Sequence, residues 1–524
     1  MKTWTDMKRN ALAVLATLLA FLVSNVLAND TRPNVLWINI DDQSPWYSSY
    51  GDNTVQTPNI DALAREGVLF ERAYVPTPVC APSRSSLITG NYNIRIGAHD
   101  MRSGRVPGYQ IHLPEGVTTV PELFRAAGFE TYNDSKDDFN FTYSRADLYS
   151  IGANRPDITA RKTKAALSGK QSGIKGGGKP RPALARGDQS WKGAPGGGDW
   201  RDVPKGRAFF GQTSVAGGKG MNVAAMASYG ATPVDRESVR VPAQYPDIPK
   251  VREHIATHYN SVLRTDYQIG QTIARLKADG LWDNTVIFLF TDHGSDLPRS
   301  KEFVYVEGLH VPLIVVAPGM QDLVKPGTRR SDIVNIMDVA ATSLALAGLE
   351  IPESMDAMNL FAKDYARKYV FSSADRMSNV IDRVRSVMGK RYHYIRNFML
   401  DRPLMNWGHR EMIALANPKA SSFLMIRKLA ESGKLTAAQA APYGPRIAEE
   451  LYDLEADPDE VVNLAGDPAH KAKLDEMRAA LEGWIEDTDD KGQYPRSQAA
   501  MDEIIGRYPV SWLRSPEFAG LEDN

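Results

Sequence analysis

The run "NVLWINIDD" (residues 34–42) decides the fold class of this chain. Its apolar residues follow one another without polar alternation, which predicts a central strand buried on both faces, and two aspartates come directly after it. A similar unit recurs at 284–294, "NTVIFLFTDHG". Amphipathic segments that end in glycine lie at 57–67, 119–128 and 252–280 and predict helices. Alternating strands and helices predict an α/β fold.

The chain divides into two predicted units. Its 524 residues exceed what one core usually serves. After a predicted helix at 333–347 the pattern changes to short strands and turns, and a further helix is predicted at 470–487. The predicted units are a large α/β domain over 29–365 and a C-terminal α+β subdomain over 366–524, with a small antiparallel sheet and a helix.

A segment rich in glycine, lysine and proline interrupts the large domain at 160–200. This composition predicts a locally basic surface insertion. It is either a solvated spacer or a basic flap that contacts an anionic polymer.

The N-terminus predicts export. Lys8 and Arg9 precede an apolar run at 11–23, and small residues before Ala28 predict cleavage there, so 1–28 is interpreted as a signal peptide. The alternative is an uncleaved anchor. Cleavage would give a periplasmic or secreted protein without a membrane partner. The formal net charge of −1 argues against nucleic acid as the main partner.

Acidic residues end both predicted buried strands. Asp41 and Asp42 follow the first strand, and Asp292 and His293 follow the second. Open α/β sheets bind ligands at the carboxyl ends of their strands, so we expect these four side chains to form one site. Carboxylates favour Ca²⁺ or Mg²⁺, although imidazole is more typical of transition metals. The alternative is that the aspartates only cap turns.

The single cysteine, Cys80, lies in "VCAPSRSSLITG" (79–90). One cysteine cannot form an intramolecular disulfide, so in an exported protein it is either a buried inert thiol or a reactive group. Pro82 fits the first helical position, and the N-terminus of such a helix binds anions through free N–H groups. Arg84 adds a guanidinium suited to tetrahedral oxyanions, and such surroundings would acidify the thiol.

The motif "CAPSR" at 80–84, followed by "LITG" at 87–90, resembles the signature of the type I, formylglycine-dependent sulfatases. Apart from the insertion at 160–200, the resemblance extends over about residues 32–487 through "PNVLWINIDD", "TPNIDALAREGVLFERAYV", "TDHG", "VPLIV" and "YDLEADPDEVVNL". The order of segments is most similar to the sulfamidase-like and polysaccharide-sulfatase branch. It implies an alkaline-phosphatase-like fold: a mixed central β-sheet flanked by helices, and a small C-terminal domain with a four-stranded sheet and a helix.

The resemblance also implies a cofactor and a modification. A formylglycine-generating maturation enzyme would oxidise Cys80 to formylglycine (3-oxoalanine), whose hydrated aldehyde is the nucleophile. One divalent metal ion, usually Ca²⁺, would be held by Asp41, Asp42, Asp292 and His293 together with the residue made from Cys80. The implied reaction is hydrolysis of a sulfate ester or N-sulfate, in which cations around the sulfate lower the barrier.

Matching cations are implied as well. Arg84, within the motif, would orient the hydrated aldehyde. Lys136 aligns with the Gly–Lys segment of the family, and Lys301 aligns with the basic residue that contacts sulfate, so both would be catalytic and substrate-binding. His99 is a candidate substrate contact. The alternatives are solvated surface lysines and a structural histidine.

Two positions depart from the family pattern. Asp138 stands where many relatives have histidine. No histidine occurs in "RAFFGQTSVAGGKGMN" (207–222), where the family usually supplies the acid. Lys219 is the nearest replacement, and it would donate a proton readily if its pKa were depressed. His258 or His310 would be the alternatives.

The resemblance implies a sulfated carbohydrate substrate, such as an oligosaccharide of carrageenan, a fucan or a glycosaminoglycan. Sugar subsites are predicted to involve some of Trp191, Trp200, His393 and Arg396, whose alternative is ordinary core or surface placement. Two rival functions remain: a phosphodiesterase or phosphonate hydrolase of the alkaline phosphatase superfamily, and a non-catalytic protein that binds sulfated glycans.

Overall fold

The computed structural model describes residues 30–134, 136–153, 198–405, 408, 414–415 and 421–521. The predicted signal peptide, residues 1–28, lies outside this part of the chain. Most of the predicted insertion, including Trp191, also lies outside the described residues.

A mixed seven-stranded sheet forms the centre of the large unit, with strand order β5-β6-β1-β7-β8-β2-β9. Its strands are β1 (Asn34–Ile40), β2 (Val68–Tyr74), β5 (Glu130–Asn133), β6 (Phe209–Val215), β7 (Thr285–Thr291), β8 (His310–Val316) and β9 (Thr328–Asn335). Strand β8 runs antiparallel to both of its neighbours, and the other pairings are parallel. A separate two-stranded ribbon consists of β3 (Arg105–Val106) and β4 (Tyr109–Gln110).

Both faces of the sheet are buried, which explains the uninterrupted apolar runs in the sequence. In β1, Val35 and Trp37 pack into one core, whereas Leu36 and Ile38 pack into the other. The Trp37 ring meets aromatic rings from both adjacent strands in edge-to-face contacts, 5.0 Å from Phe210 and 5.7 Å from Phe290 between centroids. Strand β1 is therefore central, as predicted.

Helices cover the two faces. They are α1 (Pro58–Glu66), α2 (Cys80–Thr89), α3 (Val120–Ala126), α4 (Arg145–Leu148), α5 (Pro249–Ala278), α6 (Val306–Leu309) and α7 (Asp338–Leu346). Helix α5 begins at a proline, which fits the first helical position because its missing N–H has no partner there. Helix α3 begins with a capping box between Thr119 and Glu122. The predicted helices at 57–67, 119–128 and 252–280 are confirmed within a few residues at each end.

The predicted helix at 333–347 is wrong at its start. Residues Ile333 and Val334 belong to β9 and pair with Arg72 and Ala73 of β2. β-branched residues pack well at an extended edge position, and the helix begins only at Asp338.

The C-terminal part contains the predicted four-stranded antiparallel sheet, in the order β10-β11-β12-β13. Its strands are β10 (Val370–Ala374), β11 (Val384–Met388), β12 (Tyr392–Asn397) and β13 (Glu449–Asp453). The helices here are α8 (Ser422–Glu431), α9 (Ala437–Ala440), α10 (Lys471–Asp487) and α11 (Gln498–Arg507). Helix α10 covers the sheet and stacks Trp484 on Phe371 with 5.0 Å between ring centroids. The division at residue 365 stays a prediction.

Across the described residues, no helix combines the length and the apolar character needed to cross a bilayer.

Candidate active site

The carboxyl ends of β1 and β7 bring the predicted acidic residues together. Ile40 and Thr291, the last residues of these adjacent parallel strands, are in register. Just beyond them, the Asp42 N–H donates to Oδ1 of Asp292 at 3.2 Å, and His293 Nε2 lies 2.8 Å from Oδ1 of Asp42. Asp42 has a left-handed backbone with φ 55°, so the chain turns sharply at this point.

The N-terminus of α2 brings Cys80 to this edge of the sheet. Cys80 is buried and is the first residue of the helix, so the prediction that Pro82 occupies the first helical position was wrong by two residues. Its Sγ lies 3.1 Å from Nε2 of His293 and 3.8 Å from Oδ1 of Asp42. Lysine Nζ atoms approach the same sulfur, at 3.4 Å from Lys301 and 3.7 Å from Lys219. The thiol, the acidic residues and the lysines therefore form one cluster.

Arg84, one helical turn after Cys80, ties the acidic residues together. Its Nη2 donates to Oδ1 of Asp41 at 2.5 Å, and its Nε donates to Oδ2 of Asp292 at 2.9 Å. Nη1 donates to the carbonyl oxygen of Lys136 at 3.2 Å. The guanidinium, 4% exposed, therefore fixes both carboxylates and the loop that carries Lys136.

Three loops supply the three lysines. Lys136 Nζ lies 3.4 Å from Oδ1 of Asp41, and Lys219 Nζ lies 2.9 Å from Oδ2 of the same carboxylate. Lys301 Nζ lies 2.9 Å from Oδ2 of Asp42. The lysine side chains are 12% to 37% exposed, so they form the open side of an otherwise buried cluster.

Two glycines allow the loop of Lys219 to approach, a feature that the sequence prediction missed. A Cβ on Gly217 would lie 1.7 Å from the carbonyl oxygen of Asp41, and one on Gly218 would lie 2.4 Å from that of Asp42. Gly217 also has φ +54°. The sequence "GGK" (217–219) after β6 could have predicted this approach, because glycines often mark places where another backbone segment comes close.

The cations control the ionisation of the thiol. Burial opposes ionisation of Cys80, but the charges of Lys136, Lys219, Lys301 and His293 outweigh it and lower its pKa to about 5. At neutral pH the group at position 80 therefore carries negative charge in this setting, and the site is built to stabilise an anion there.

The donor atoms fit a divalent metal ion. One ligand atom each from Asp42, Cys80, Asp292 and His293 lies within 4.8 Å of the others, and all four residues are buried. Asp41 lies beside this group, with its carboxylate shared by Arg84 and lysines. Because carboxylate oxygens supply most of the negative charge, the donor set suits a hard cation such as Ca²⁺.

The sequence profile of the Sulfatase family matches residues 33–169 and 203–349, more than half of the chain. The chain belongs to the sulfatase family. It is a hydrolase of sulfate esters, as predicted.

An ulvan-active sulfatase of Formosa agariphila is 29% identical over 494 residues, which cover 89% of this sulfatase and 77% of that protein. Human N-sulphoglucosamine sulphohydrolase is 23% identical over 496 residues, covering 88% of this chain and 91% of the human one. The predicted family and its sulfamidase-like branch are confirmed. The solved phosphonate monoester hydrolase from Silicibacter pomeroyi has the same fold, with a TM-score of 0.58 at 20% identity and coverage of 88% and 96%. The predicted alkaline-phosphatase-like fold is confirmed as well.

The alternative proton donors of this sulfatase lie elsewhere. His310 begins β8, and its Nε2 faces the carbonyl oxygen of Glu71 at 2.8 Å. His258 is buried in α5 beside Trp46, with 5.1 Å between ring centroids. Lys219 does lie in the site, but the condition for ready proton donation, a depressed pKa, is not met. Burial opposes its charge, yet the surrounding acidic groups, Asp41 first among them, raise the Lys219 pKa well above its usual value.

Two further expectations concern neighbours of the site. Asp138, the departure from the family pattern, is buried and lies 3.2 Å from Nζ of Lys136. Burial opposes ionisation of its carboxyl, but the charges of Lys136 and nearby arginines outweigh it and hold the pKa low. His99 is partly buried, and its Nδ1 has no hydrogen-bond partner among the described residues. The role of His99 as a substrate contact stays a prediction.

The described residues proposed for sugar subsites have structural partners of their own. Trp200 is 3% exposed and packs under the guanidinium of Arg275 at 3.9 Å. His393 is buried against Glu460 at 2.5 Å, and Arg396 pairs with Glu482 on the surface.

Proposed function

We propose that this sulfatase removes sulfate from an acidic polysaccharide or its oligosaccharides, with residue 80 as the nucleophile after oxidation of Cys80 to formylglycine. One observation carries the proposal. The side chain of residue 80 lies at a helix N-terminus, 3.1 to 3.8 Å from a histidine, a carboxylate and two lysines. A sulfate group needs this combination of a nucleophile and preplaced cations.

Oxidation replaces the sulfur and two hydrogens of the Cys80 side chain by one oxygen. The hydrated aldehyde at this position supplies the attacking hydroxyl, and its second hydroxyl allows sulfate to leave while the aldehyde is restored. A maturation enzyme that makes this change belongs to the proposal, as does export through residues 1–28. The buried position of Cys80 in the folded chain implies that maturation acts before folding is complete.

The proposed metal ligands are Asp41, Asp42, Asp292, His293 and residue 80. These residues would hold a divalent ion, Ca²⁺ in this proposal, which would supply Lewis acidity for the sulfate oxygens and for the hydroxyl of residue 80. His293 Nδ1 faces the carbonyl oxygen of Gly294 at 2.9 Å, which leaves Nε2 to face the ligand cluster.

The protein's own cations act on the substrate. Lys136 and Lys301 lie on the open side of the cluster and are placed to bind the sulfate oxygens, where negative charge builds up in the transition state. Arg84 holds Asp41 and Asp292 in place and orients residue 80 by fixing the first turn of α2.

Lys219 is the proposed proton donor to the leaving oxygen. Its acidic neighbours keep it protonated, so it holds a proton at the site across the neutral range. A lysine with a raised pKa is a weak acid, so its contribution is largest for leaving groups that become strongly basic, such as sugar alkoxides.

The relatives support the proposed substrate class. The Formosa agariphila relative that matches 89% of this chain is an ulvan-active sulfatase, and the human relative acts on N-sulphoglucosamine. An acidic algal polysaccharide such as ulvan is therefore our first candidate substrate, followed by carrageenan, fucan and glycosaminoglycan oligosaccharides.

The experiment is sulfate release across a panel of these polysaccharides, using protein whose aldehyde content at residue 80 has been verified by peptide mass. Cys80→Ala should abolish release. Ser86→Ala is the matched control, since Ser86 lies on the same helix, is buried, and its hydroxyl has no hydrogen-bond partner among the described residues. Release by Cys80→Ala at the wild-type rate would contradict the proposal.

The rival activity is phosphodiester or phosphonate hydrolysis, which the shared fold of the phosphonate monoester hydrolase keeps open. Rates on 4-nitrophenyl sulfate and on bis(4-nitrophenyl) phosphate separate the two. Faster turnover of the phosphodiester would favour the rival. If the protein carries the aldehyde and binds sulfated glycans but releases no sulfate, the result would favour the non-catalytic glycan-binding function.

A further inference from the structure

A second cationic group lies beside the site, on the loop from Ala98 to Gly104. Arg102 in this loop is partly buried, and the part of the chain that the structure describes offers it no hydrogen bond or ion pair. The four cations of the site itself, by contrast, each pair with one of the acidic residues. Within the described ranges, the Arg102 guanidinium therefore has no hydrogen-bond acceptor.

The loop is held firmly by its neighbours. Both oxygens of Asp100 accept from Arg496 at 2.8 Å, and Oδ1 also accepts the N–H of Arg376 at 3.0 Å. The buried side chain of Asn140 donates to the carbonyl oxygens of Ala98 and Asp100 at 3.0 and 2.6 Å. A fixed loop holds its arginine in place, so little order is lost when that side chain binds an anion.

The backbone supports a functional position for Arg102. Its φ of 56° lies in the left-handed region, which is costly for a residue with a side chain. Asp138 and Glu302 near the site share this conformation, with φ of 59° and 79°. Non-glycine residues in this region cluster at binding sites, where the surrounding structure maintains the strain.

The Arg102 guanidinium interacts electrostatically with the nucleophile and with the C-terminal segment. Burial opposes its charge, but Asp138 first, and then Cys80, Tyr508 and Glu302, raise the Arg102 pKa. The arginine therefore stays charged and lies within electrostatic reach of residue 80. Its position differs from that of Lys136 and Lys301, the lysines proposed to bind sulfate, because it forms no ion pair with Asp41 or Asp42, as they do.

We infer that Arg102 binds a second anionic group of the substrate, a carboxylate or another sulfate on the sugars next to the sulfate that is removed. This inference rests on the proposed function and deepens it by making the substrate polyanionic. The planar guanidinium offers paired N–H donors that match the two oxygens of such a group. A partly buried arginine that has no partner among the described residues is unfavourable, so the substrate supplies the missing acceptor.

The test is a binding cycle that needs no turnover. The background is Cys80→Ala, and residue 102 is either Arg or Asn, because asparagine tolerates left-handed backbone better than most residues. The ligands form two pairs: a sulfated disaccharide with a uronic acid and its carboxyl-reduced counterpart, and a disulfated monosaccharide and its monosulfated form. Calorimetry measures the Kd of each ligand.

With Arg102, removal of the second anion should weaken binding by roughly 10- to 100-fold in at least one ligand pair. With Arg102→Asn the same removal should change Kd by less than about 3-fold, and Arg102→Lys should keep part of the effect. The pair that shows the coupling identifies carboxylate or sulfate as the partner. Lys205→Asn, an exposed position before β6, is the matched control and should retain the full effect.

Equal losses with Arg and with Asn at position 102, in both ligand pairs, would overturn the inference. Thermal unfolding of each variant confirms that the fold is kept. Failure of the proposed function is a separate result, because it would show as absent sulfate release by the mature wild-type enzyme, whatever the binding cycle gives.

Discussion

His258 gives a quantitative prediction of acid sensitivity. Its side chain is fully buried in α5, and neither ring nitrogen has a hydrogen-bond partner among the described residues. Burial lowers the His258 pKa from 6.5 to about 4. The folded state therefore keeps the imidazole neutral at a pH where the unfolded chain protonates it.

The sign follows from proton binding. Between pH 6.5 and about 4 the unfolded chain holds one more proton at this residue than the folded chain does, so the free energy of unfolding rises with pH. The contribution of the neutral ring is complete above pH 6.5 and is lost as the pH falls toward 4. At about 1.4 kcal/mol for each pH unit, the full loss is about 3 kcal/mol, of which about 2 kcal/mol falls between pH 7 and pH 5.

The assay is guanidinium unfolding, followed by tryptophan fluorescence at pH 7 and pH 5, of the wild type and of His258→Phe. Other groups also titrate, so the measured quantity is the difference between the two proteins. That difference should shift by about 2 kcal/mol in favour of the variant at pH 5. His112→Phe, at an exposed histidine, is the control and should show no shift. A pH-independent difference for His258→Phe would refute the reasoning.

Three further predictions concern the site. Gly217→Ala places a methyl group 1.7 Å from the carbonyl oxygen of Asp41, so sulfatase kcat should fall by roughly 100-fold or more, whereas an unchanged kcat would show that the loop can move away. Arg84→Lys removes the guanidinium that bonds Asp41 and Asp292 at the same time, so the free energy of unfolding should fall by about 3 kcal/mol and kcat should fall too. Guanidinium unfolding and sulfate release measure the two effects, and a stable, active variant would contradict the assigned role. Dialysis against a chelator should lower both Tm and activity, and Ca²⁺ should restore both, because the clustered carboxylates repel one another; an unchanged Tm would argue against a metal site.

Much of the fold and the centre of the site could be predicted because the signals are local. Two uninterrupted apolar strands, each followed by acidic residues, predicted one site at one edge of a sheet, and the pairing of Ile40 with Thr291 confirms their adjacency. The cysteine motif lies within a single helix turn, so Cys80 and Arg84 could be placed relative to each other from spacing alone.

The remaining features depend on contacts between distant segments. The loop of Arg102 is held by a bond between Asp100 and Arg496, which lies 396 residues further along the chain. The pKa of Lys219 depends on which carboxylates surround it, and a sequence pattern does not contain that information. The strand assignment of Ile333 depends on its pairing with β2, which overrides the helical appearance of the segment.

The central claim concerns the chemical state of residue 80. Batches of the enzyme with different degrees of maturation can be prepared by varying co-expression of the maturation enzyme, and peptide mass gives the fraction of Cys80 converted to aldehyde. Sulfate release per mole of protein should rise in proportion to that fraction and extrapolate to zero at none. Equal activity in batches that retain the thiol would contradict the account.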